Sequence, residues 1–236
     1  MEGAQMKIGI IGAGQIGGTL TRRLTALGHQ VSVANSRGPE TLAELAAETG
    51  AKALPVREVV RGQDLVVVTI PEVRVRELPK DLLAGAPDAL VVVDTGNYYP
   101  QHRDGRIEEI EAGLTESRWV ERHLGHPVVK AFNNIGTKSL MERGRPAGSP
   151  DRIALPIAGD RPADKEIVLR LIEELGFDGI DAGGLDESWR QQPGTPGYVA
   201  DLNAAGLRRA LAEARPERLA DFRASDQSPG TFINPA

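Results

Sequence analysis

The chain has 236 residues, 40% of them hydrophobic and only 4% aromatic, with a formal net charge of −5 and no cysteine. That length suits one or two domains with a real core. The composition excludes disulfides, thiolate metal sites and cysteine nucleophiles. It shows neither the apolar run of ~20 residues that a membrane span needs nor a basic stripe that would draw nucleic acid.

Residues 1–5 precede the first strand and are expected to be a flexible leader, and nothing resembles a signal peptide; the absence of cysteine is compatible with a reducing, cytoplasmic setting. Residues 8–11 form a short apolar run, read as a buried strand. It enters Gly12-Ala13-Gly14-Gln15-Ile16-Gly17, a Gly-x-Gly-x-x-Gly pattern, and Ile16, Leu20, Leu24 and Leu27 then recur at helical spacing up to a stop at Gly28. In a dinucleotide site Gly12 permits the tight turn, Gly14 lets the backbone meet a pyrophosphate, and Gly17 lets helix and strand pack closely. The helix N-terminus then offers free N–H groups to the phosphates.

Residues 30–34 read as the second strand, ending in Asn35-Ser36-Arg37. An NAD site carries an acidic residue at this strand end, about 20 residues past the fingerprint. Here Asn35 takes its place, Ser36 can donate to a 2′-phosphate and Arg37 can clamp it, so NADP is expected over NAD. Pro39 opens a helix with Leu42, Leu45 and Ala46 on its apolar side and Gly50 as its stop. Strands are expected at 51–54, 64–71, 89–94 and 127–132, with helices at 72–83 and 116–124 between them. Their alternation predicts an α/β fold of the Rossmann type, a doubly wound, mainly parallel sheet.

Ligands bind beyond the carboxyl ends of such strands, which singles out Thr69-Ile70-Pro71, Thr95-Gly96-Asn97 and Phe132-Asn133-Asn134. Further on, residues 152–158 and 177–181 read as strands around an amphipathic helix at 163–175. A polar segment at 186–197 follows, then helices at 199–212 and 217–223 and a loose tail at 224–236. The expected organisation is a dinucleotide-binding domain at 6–176, with residues 177–223 completing the substrate pocket. Of the four histidines, His29 and His123 are read as surface or capping residues; His102 and His126 remain candidates for acid–base work. No histidine–carboxylate cluster suggests a metal site. Hydride transfer between two bound rings asks little of side chains beyond orientation, and the scarcity of catalysts fits such a reaction.

Taken together, residues 8–17, Asn35-Ser36-Arg37, Thr69-Ile70-Pro71 and Asp181-Ala182-Gly183-Gly184-Leu185 resemble the coenzyme F420-dependent NADP oxidoreductases. The resemblance implies hydride transfer between NADP(H) and a deazaflavin, and a homodimer built around the C-terminal helices. It puts the pyrophosphate at residues 13–16, the 2′-phosphate at Ser36, Arg37 and Thr41, and the nicotinamide near Pro71 and Gly184, with Thr69, Ile70, Asn97 and Ala131 also against the cofactor. Phe132, Asn133 and Leu185 are expected to line the substrate pocket, where Phe132 and Leu185 would form an apolar wall with Pro71. Residues 131–135 depart from the His-Thr pair of the archaeal enzymes. They are closer to the reductase domain of the six-transmembrane epithelial antigens of prostate, which use flavin. The hydride partner is thus F420, flavin or a small organic molecule. An imine or hydroxyacid reductase and a non-catalytic NADP(H) redox sensor are the other readings.

Overall fold

The computed structural model describes residues 5–225 and 228. Its elements begin with β1 (Lys7–Ile11), α1 (Gln15–Ala26), β2 (Gln30–Ala34), α2 (Ala43–Thr49), β3 (Lys52–Ala53) and α3 (Val56–Val59). Next come β4 (Leu65–Val68), α4 (Glu72–Val75), β5 (Val91–Asp94), α5 (Glu108–Glu111), α6 (Glu116–Leu124) and β6 (Val129–Lys130). The chain continues through α7 (Thr137–Glu142), β7 (Ala154–Ile157), α8 (Pro162–Glu174), β8 (Asp178–Asp181) and α9 (Ala204–Glu213).

Six strands lie parallel in the order β3-β2-β1-β4-β5-β6. This is the Rossmann-type doubly wound sheet that the alternation predicts. Both faces are covered, and the period of two shows it. Ile8, Ile10, Leu65 and Val67 enter one core with Leu20 and Leu24 of α1 and Leu171 of α8. Ile11, Val66, Val68 and Val92 enter the other with Trp119 and Val120 of α6. Runs of β-branched residues suit central parallel strands for this reason.

β7 and β8 form a separate parallel pair, Ala154 to Ile157 against Asp178 to Asp181. A single antiparallel bridge between Lys130 and Ala158 joins it to the edge of the main sheet. The boundary expected at 176–177 therefore cuts through one unit, since β7 belongs with β8. Arg23 of α1 reaches across to this part of the chain and donates to the carbonyls of Leu140 and Leu175.

Four expected elements need correction. The helix at 72–83 is one turn, α4, followed by turns, because Pro79 offers no N–H and disfavours helix in the residue before it. The strand at 127–132 shortens to β6, since Phe132 turns to φ 60. The helix at 199–212 begins five residues late: Val199 and Asp201 have positive φ, and Asn203 caps α9 by accepting from Gly206 N at 3.0 Å. The helix at 217–223 is only a 3-10 turn, Ala220–Phe222, with the carbonyls of Ala220 and Arg223 taken by Gln101.

At the expected tail, Ala224 is buried, its N–H donating to Glu111 and its carbonyl accepting from Arg106. Most of the tail, with residues 1–4 of the expected leader, lies outside the described residues. Among the described residues no helix is long and apolar enough to cross a membrane.

Candidate functional site

The strand order reverses between β1 and β4, and the glycine fingerprint sits at that switch point. Gly12 has φ 110, and a Cβ there would stand 2.2 Å from the Thr69 carbonyl oxygen. A Cβ at Gly17 would stand 2.0 Å from the Gly12 carbonyl oxygen and 2.6 Å from Thr69 Cγ2. Both positions thus admit only glycine. Gly14, the N-cap of α1, is exposed, and a Cβ there would meet nothing within 4 Å. The turn is packed tightly behind Gly12 and Gly17 and open in front of Gly14, which is the cradle a pyrophosphate requires.

A cavity of about 640 Å³ opens from this turn and is lined by Gly12, Ala13, Gly14, Asn35, Ser36 and Arg37 on one side. Thr69, Ile70, Pro71 and Arg74 form the other. The fingerprint, the end of β2 and the end of β4 therefore meet as expected. Asn35 braces its own loop: its Oδ1 accepts from Arg37 N at 2.9 Å and its Nδ2 donates to Thr41 Oγ1 at 2.8 Å. Thr41 donates onward to the Gly38 carbonyl, so it shapes the loop that carries Ser36 and Arg37, both exposed. Among the described residues a larger crevice of about 710 Å³ lies at the amino ends of β1 and β2, the wrong end of a parallel sheet for a ligand.

The remaining site residues named from the sequence lie outside the lining of this cavity. Gln15 accepts from Thr137 Oγ1 at 3.2 Å, which ties the fingerprint to the start of α7; Ile16 packs half-buried against the core. Asn97 donates to the Asn133 carbonyl at 2.9 Å, and Asn133 Nδ2 donates to Asn97 Oδ1 at 3.1 Å and to the Gln191 carbonyl at 2.7 Å. Gln191 Nε2 returns a bond to Asn133 Oδ1 at 2.8 Å. The hydroxyls of Tyr99 and Tyr198 touch, and Arg103 lies 5.3 Å over the Tyr99 ring. Gly184 is half-buried beside Asp160, whose carboxylate accepts from Leu185 N at 2.8 Å.

The apolar wall is a correction. Phe132 and Leu185 are both completely buried, each in one of the two cores, and neither side chain reaches the cavity. Phe132 takes positive φ, a strained conformation for a bulky residue, and its ring packs inward. Ala131 is also fully buried and contributes backbone only, its N–H donating to the Asp94 carbonyl. His29 is a second correction: it is buried and bonded to Glu174 at 3.0 Å, at the opposite end of the sheet from the fingerprint. His102 and His123 are exposed, His126 is half-buried, and none of the three lines the cavity. Among the described residues no group of three or more His, Asp or Glu is placed to hold a metal ion.

Sequence reasoning passed over a set of buried charges at the ends of β4, β5 and β6. Lys130 Nζ lies 3.1 Å from Asp94 Oδ2, 2.6 Å from the Gly96 carbonyl and 3.5 Å from Glu116 Oε2. Ser117 donates to Asp94 at 2.7 Å, and Arg218 holds Glu116 at 2.7 Å. Burial would discharge Lys130, but Asp94 and Glu116 raise its pKa and keep it an ammonium. Burial likewise works against an ionised Glu116, and Arg218 and Lys130 outweigh it, leaving Glu116 below the usual carboxylate range. The signal was present in the sequence: a lysine inside an apolar strand must find anions.

Residues 7–98 match the family described as NADP oxidoreductase coenzyme F420-dependent. Protein YjhV of Escherichia coli K12 is 44% identical over 77 residues, which are 32% of this chain and 56% of that protein; the chain thus spans about half the length of that curated relative. Two solved structures are similar over most of their length. The hypothetical protein SMa0349 of Sinorhizobium meliloti has a TM-score of 0.70 at 28% identity, covering 84% of this chain and 95% of that one. A candidate F420-dependent NADP reductase from Arthrobacter sp. FB24 has a TM-score of 0.62 at 25% identity, covering 76% of this chain and 85% of that one.

Proposed function

We propose that the chain is an NADP(H)-dependent reductase passing hydride to a planar redox partner, a deazaflavin such as F420 or a flavin. The observation that carries the reading is the cavity at the switch point, where a glycine cradle opens toward a strand end that bears Ser36 and Arg37 and no carboxylate. Ala13 to Ile16 would hold the pyrophosphate through backbone N–H groups. Arg37 would clamp the 2′-phosphate with Ser36 beside it, and an acidic residue at Asn35 would repel that group. Thr69, Ile70, Pro71, Asn97 and Gly184 would border the nicotinamide. When bound, NADP(H) supplies the hydride itself; these residues orient the ring and exclude water. Residues after β7 would complete the acceptor site.

One observation favours a second reading within the same class. Beyond the ends of β5 and β6, Asn97, Asn133 and Gln191 bond to one another, as do the phenols of Tyr99 and Tyr198, and of the expected apolar wall only Pro71 lines the cavity. A small polar acceptor, an imine or hydroxyacid partner, suits such amide and phenol groups. The deciding experiment follows NADPH oxidation against F420, flavin mononucleotide, ferric chelates and a panel of imines and oxoacids. Turnover with a ring acceptor supports the first reading and turnover with the panel alone the second. NADPH binding without any turnover would leave a redox sensor.

A further inference from the structure

Glu72 is a buried group that this reading of the site leaves idle. It follows Pro71 of the cavity wall directly and begins α4, and its side chain is wholly buried. Neither carboxyl oxygen has a hydrogen-bond partner among the described residues. It lies against the turn after β5: a Cβ on Gly96 would stand 2.4 Å from Glu72 Oε1 and 3.0 Å from Asp94 Oδ1.

The charged groups facing it come from every neighbouring element: Asp94 from β5, Lys130 from β6, Glu116 from α6 and Asp104 from the π-helical turn Pro100–Asp104. Their charges are already matched. Lys130 serves Asp94 and Glu116, and Arg218 serves Glu116. Asp104 accepts from the N–H groups of Val73 and Tyr99 and from Arg103. Glu72 is the carboxyl left over. A buried carboxylate without donors is strongly disfavoured and takes up a proton instead. Burial first, and Asp94 second, push its ionisation well above the usual carboxylate range.

We propose that Glu72 makes the site sensitive to the redox state of its cofactor: it keeps its proton beside the neutral reduced nicotinamide and releases it to solvent when the positively charged oxidised ring is bound. This rests on the reading of the cofactor site above, which borders the ring with Pro71 and Asn97, the neighbours in sequence of Glu72 and of the Gly96 it lies against. A nearby positive charge favours the ionised form of a carboxyl. The balance is simple: a protonated Glu72 and free oxidised NADP become an ionised Glu72 in the complex plus one proton taken by the buffer. Affinity for oxidised NADP then rises with pH, by up to about tenfold per pH unit for one proton, and affinity for NADPH does not follow it. Titration of the 2′-phosphate affects both forms alike and cancels in their ratio.

The test is titration calorimetry of oxidised NADP and NADPH in two buffers of different ionisation enthalpy, repeated at pH 6.5, 7.5 and 8.5. The wild type is expected to release more protons with oxidised NADP than with NADPH, and the ratio of the two dissociation constants to fall with pH. Glu72→Gln, which mimics the protonated side chain, should erase both differences with its melting temperature retained. Equal proton release for the two forms in the wild type would overturn the proposal, as would a Gln variant that keeps the difference. If the Gln variant fails to fold, the wild-type comparison decides alone. Failure of both cofactors to bind would overturn the cofactor reading itself, a result distinct from binding without a redox-linked proton.

Discussion

Lys130 Nζ stands 3.1 Å from Asp94 Oδ2, and both side chains are only 1% exposed. The pair closes the space between the ends of β5 and β6, and Glu116 shares the same ammonium. Removing one partner of a buried pair strands the other charge in a dry interior, at a cost of about 3–5 kcal/mol. Lys130→Met is therefore expected to lower unfolding stability by that amount in urea titrations. Adding Asp94→Asn should recover part of the loss, and a single variant with native stability would mean that water reaches the pair.

The two fingerprint glycines should part company. A Cβ at Gly14 has nothing within 4 Å, so the stability cost of Gly14→Val should stay near that of a poor helix cap, about 1 kcal/mol or less, but the side chain blocks the cradle and both NADPH and NADH should fail to bind. Gly17→Ala drives a Cβ into the Gly12 carbonyl and should destabilise by about 1–3 kcal/mol through overpacking. Melting curves paired with cofactor titrations check both. Normal NADPH binding by a folded Gly14→Val protein would move the pyrophosphate elsewhere.

At the end of β2, Arg37→Ala should weaken NADPH binding and spare NADH. A hydrogen bond to a charged group contributes about 1.5–3 kcal/mol, which corresponds to a tenfold to hundredfold loss of affinity. Equal losses for both cofactors would remove the 2′-phosphate from this loop.

Burial makes Phe132 and Leu185 a stability test. Truncation to Ala should cost about 3–5 kcal/mol at Phe132 and about 2–5 kcal/mol at Leu185. The NADPH dissociation constant per folded molecule should be unchanged. Denaturant unfolding and fluorescence titration on the same samples separate the two effects.

Acid should loosen the protein through Glu116. Arg218 and Lys130 hold its pKa below the usual 4.5, so its stabilising contribution is fully present above that value and is lost as pH falls through the lowered one. Glu72 has the opposite sign: its raised pKa gives stability that is present at low pH and lost as pH rises through the folded value. Urea midpoints from pH 3 to pH 9 should therefore fall at both ends. Glu116→Gln should be less stable at pH 7 and flatter on the acid side, whereas Glu72→Gln should flatten the alkaline side. Parallel profiles for all three proteins would contradict the assignment.

The sheet was legible because its signals are local. A β-branched run such as Val66 to Val68 suits a central strand, and the glycines of residues 12–17 mark the turn. What failed depended on partners distant in sequence. Position after a strand end does not say which way a side chain points, and Phe132 and Leu185 turned inward. The start of α9 was set by Asn203 and by the positive φ of Val199 and Asp201, which hydropathy does not register. His29 is buried because Glu174, 145 residues away, completes its hydrogen bonds. The carboxyl groups around Lys130 come from three separate elements, β5, α6 and α4, so only the lysine itself, lodged among Val128, Val129 and Ala131, gave a clue.

The grip of Arg23 on Leu140 and Leu175 spans 117 and 152 residues of chain. Ribosomes add about 5–20 residues per second, so about 8–30 s separate the making of α1 from the making of its last anchor. Throughout that interval Leu20 and Leu24, fully covered in the finished protein, have only part of their cover, and α8 has yet to emerge. The nascent chain is at its most vulnerable to aggregation in this window. A cofactor that holds the fingerprint to β2 and β4, all of which precede residue 76, would act on the newborn chain as a folding aid well before it could act as a reagent.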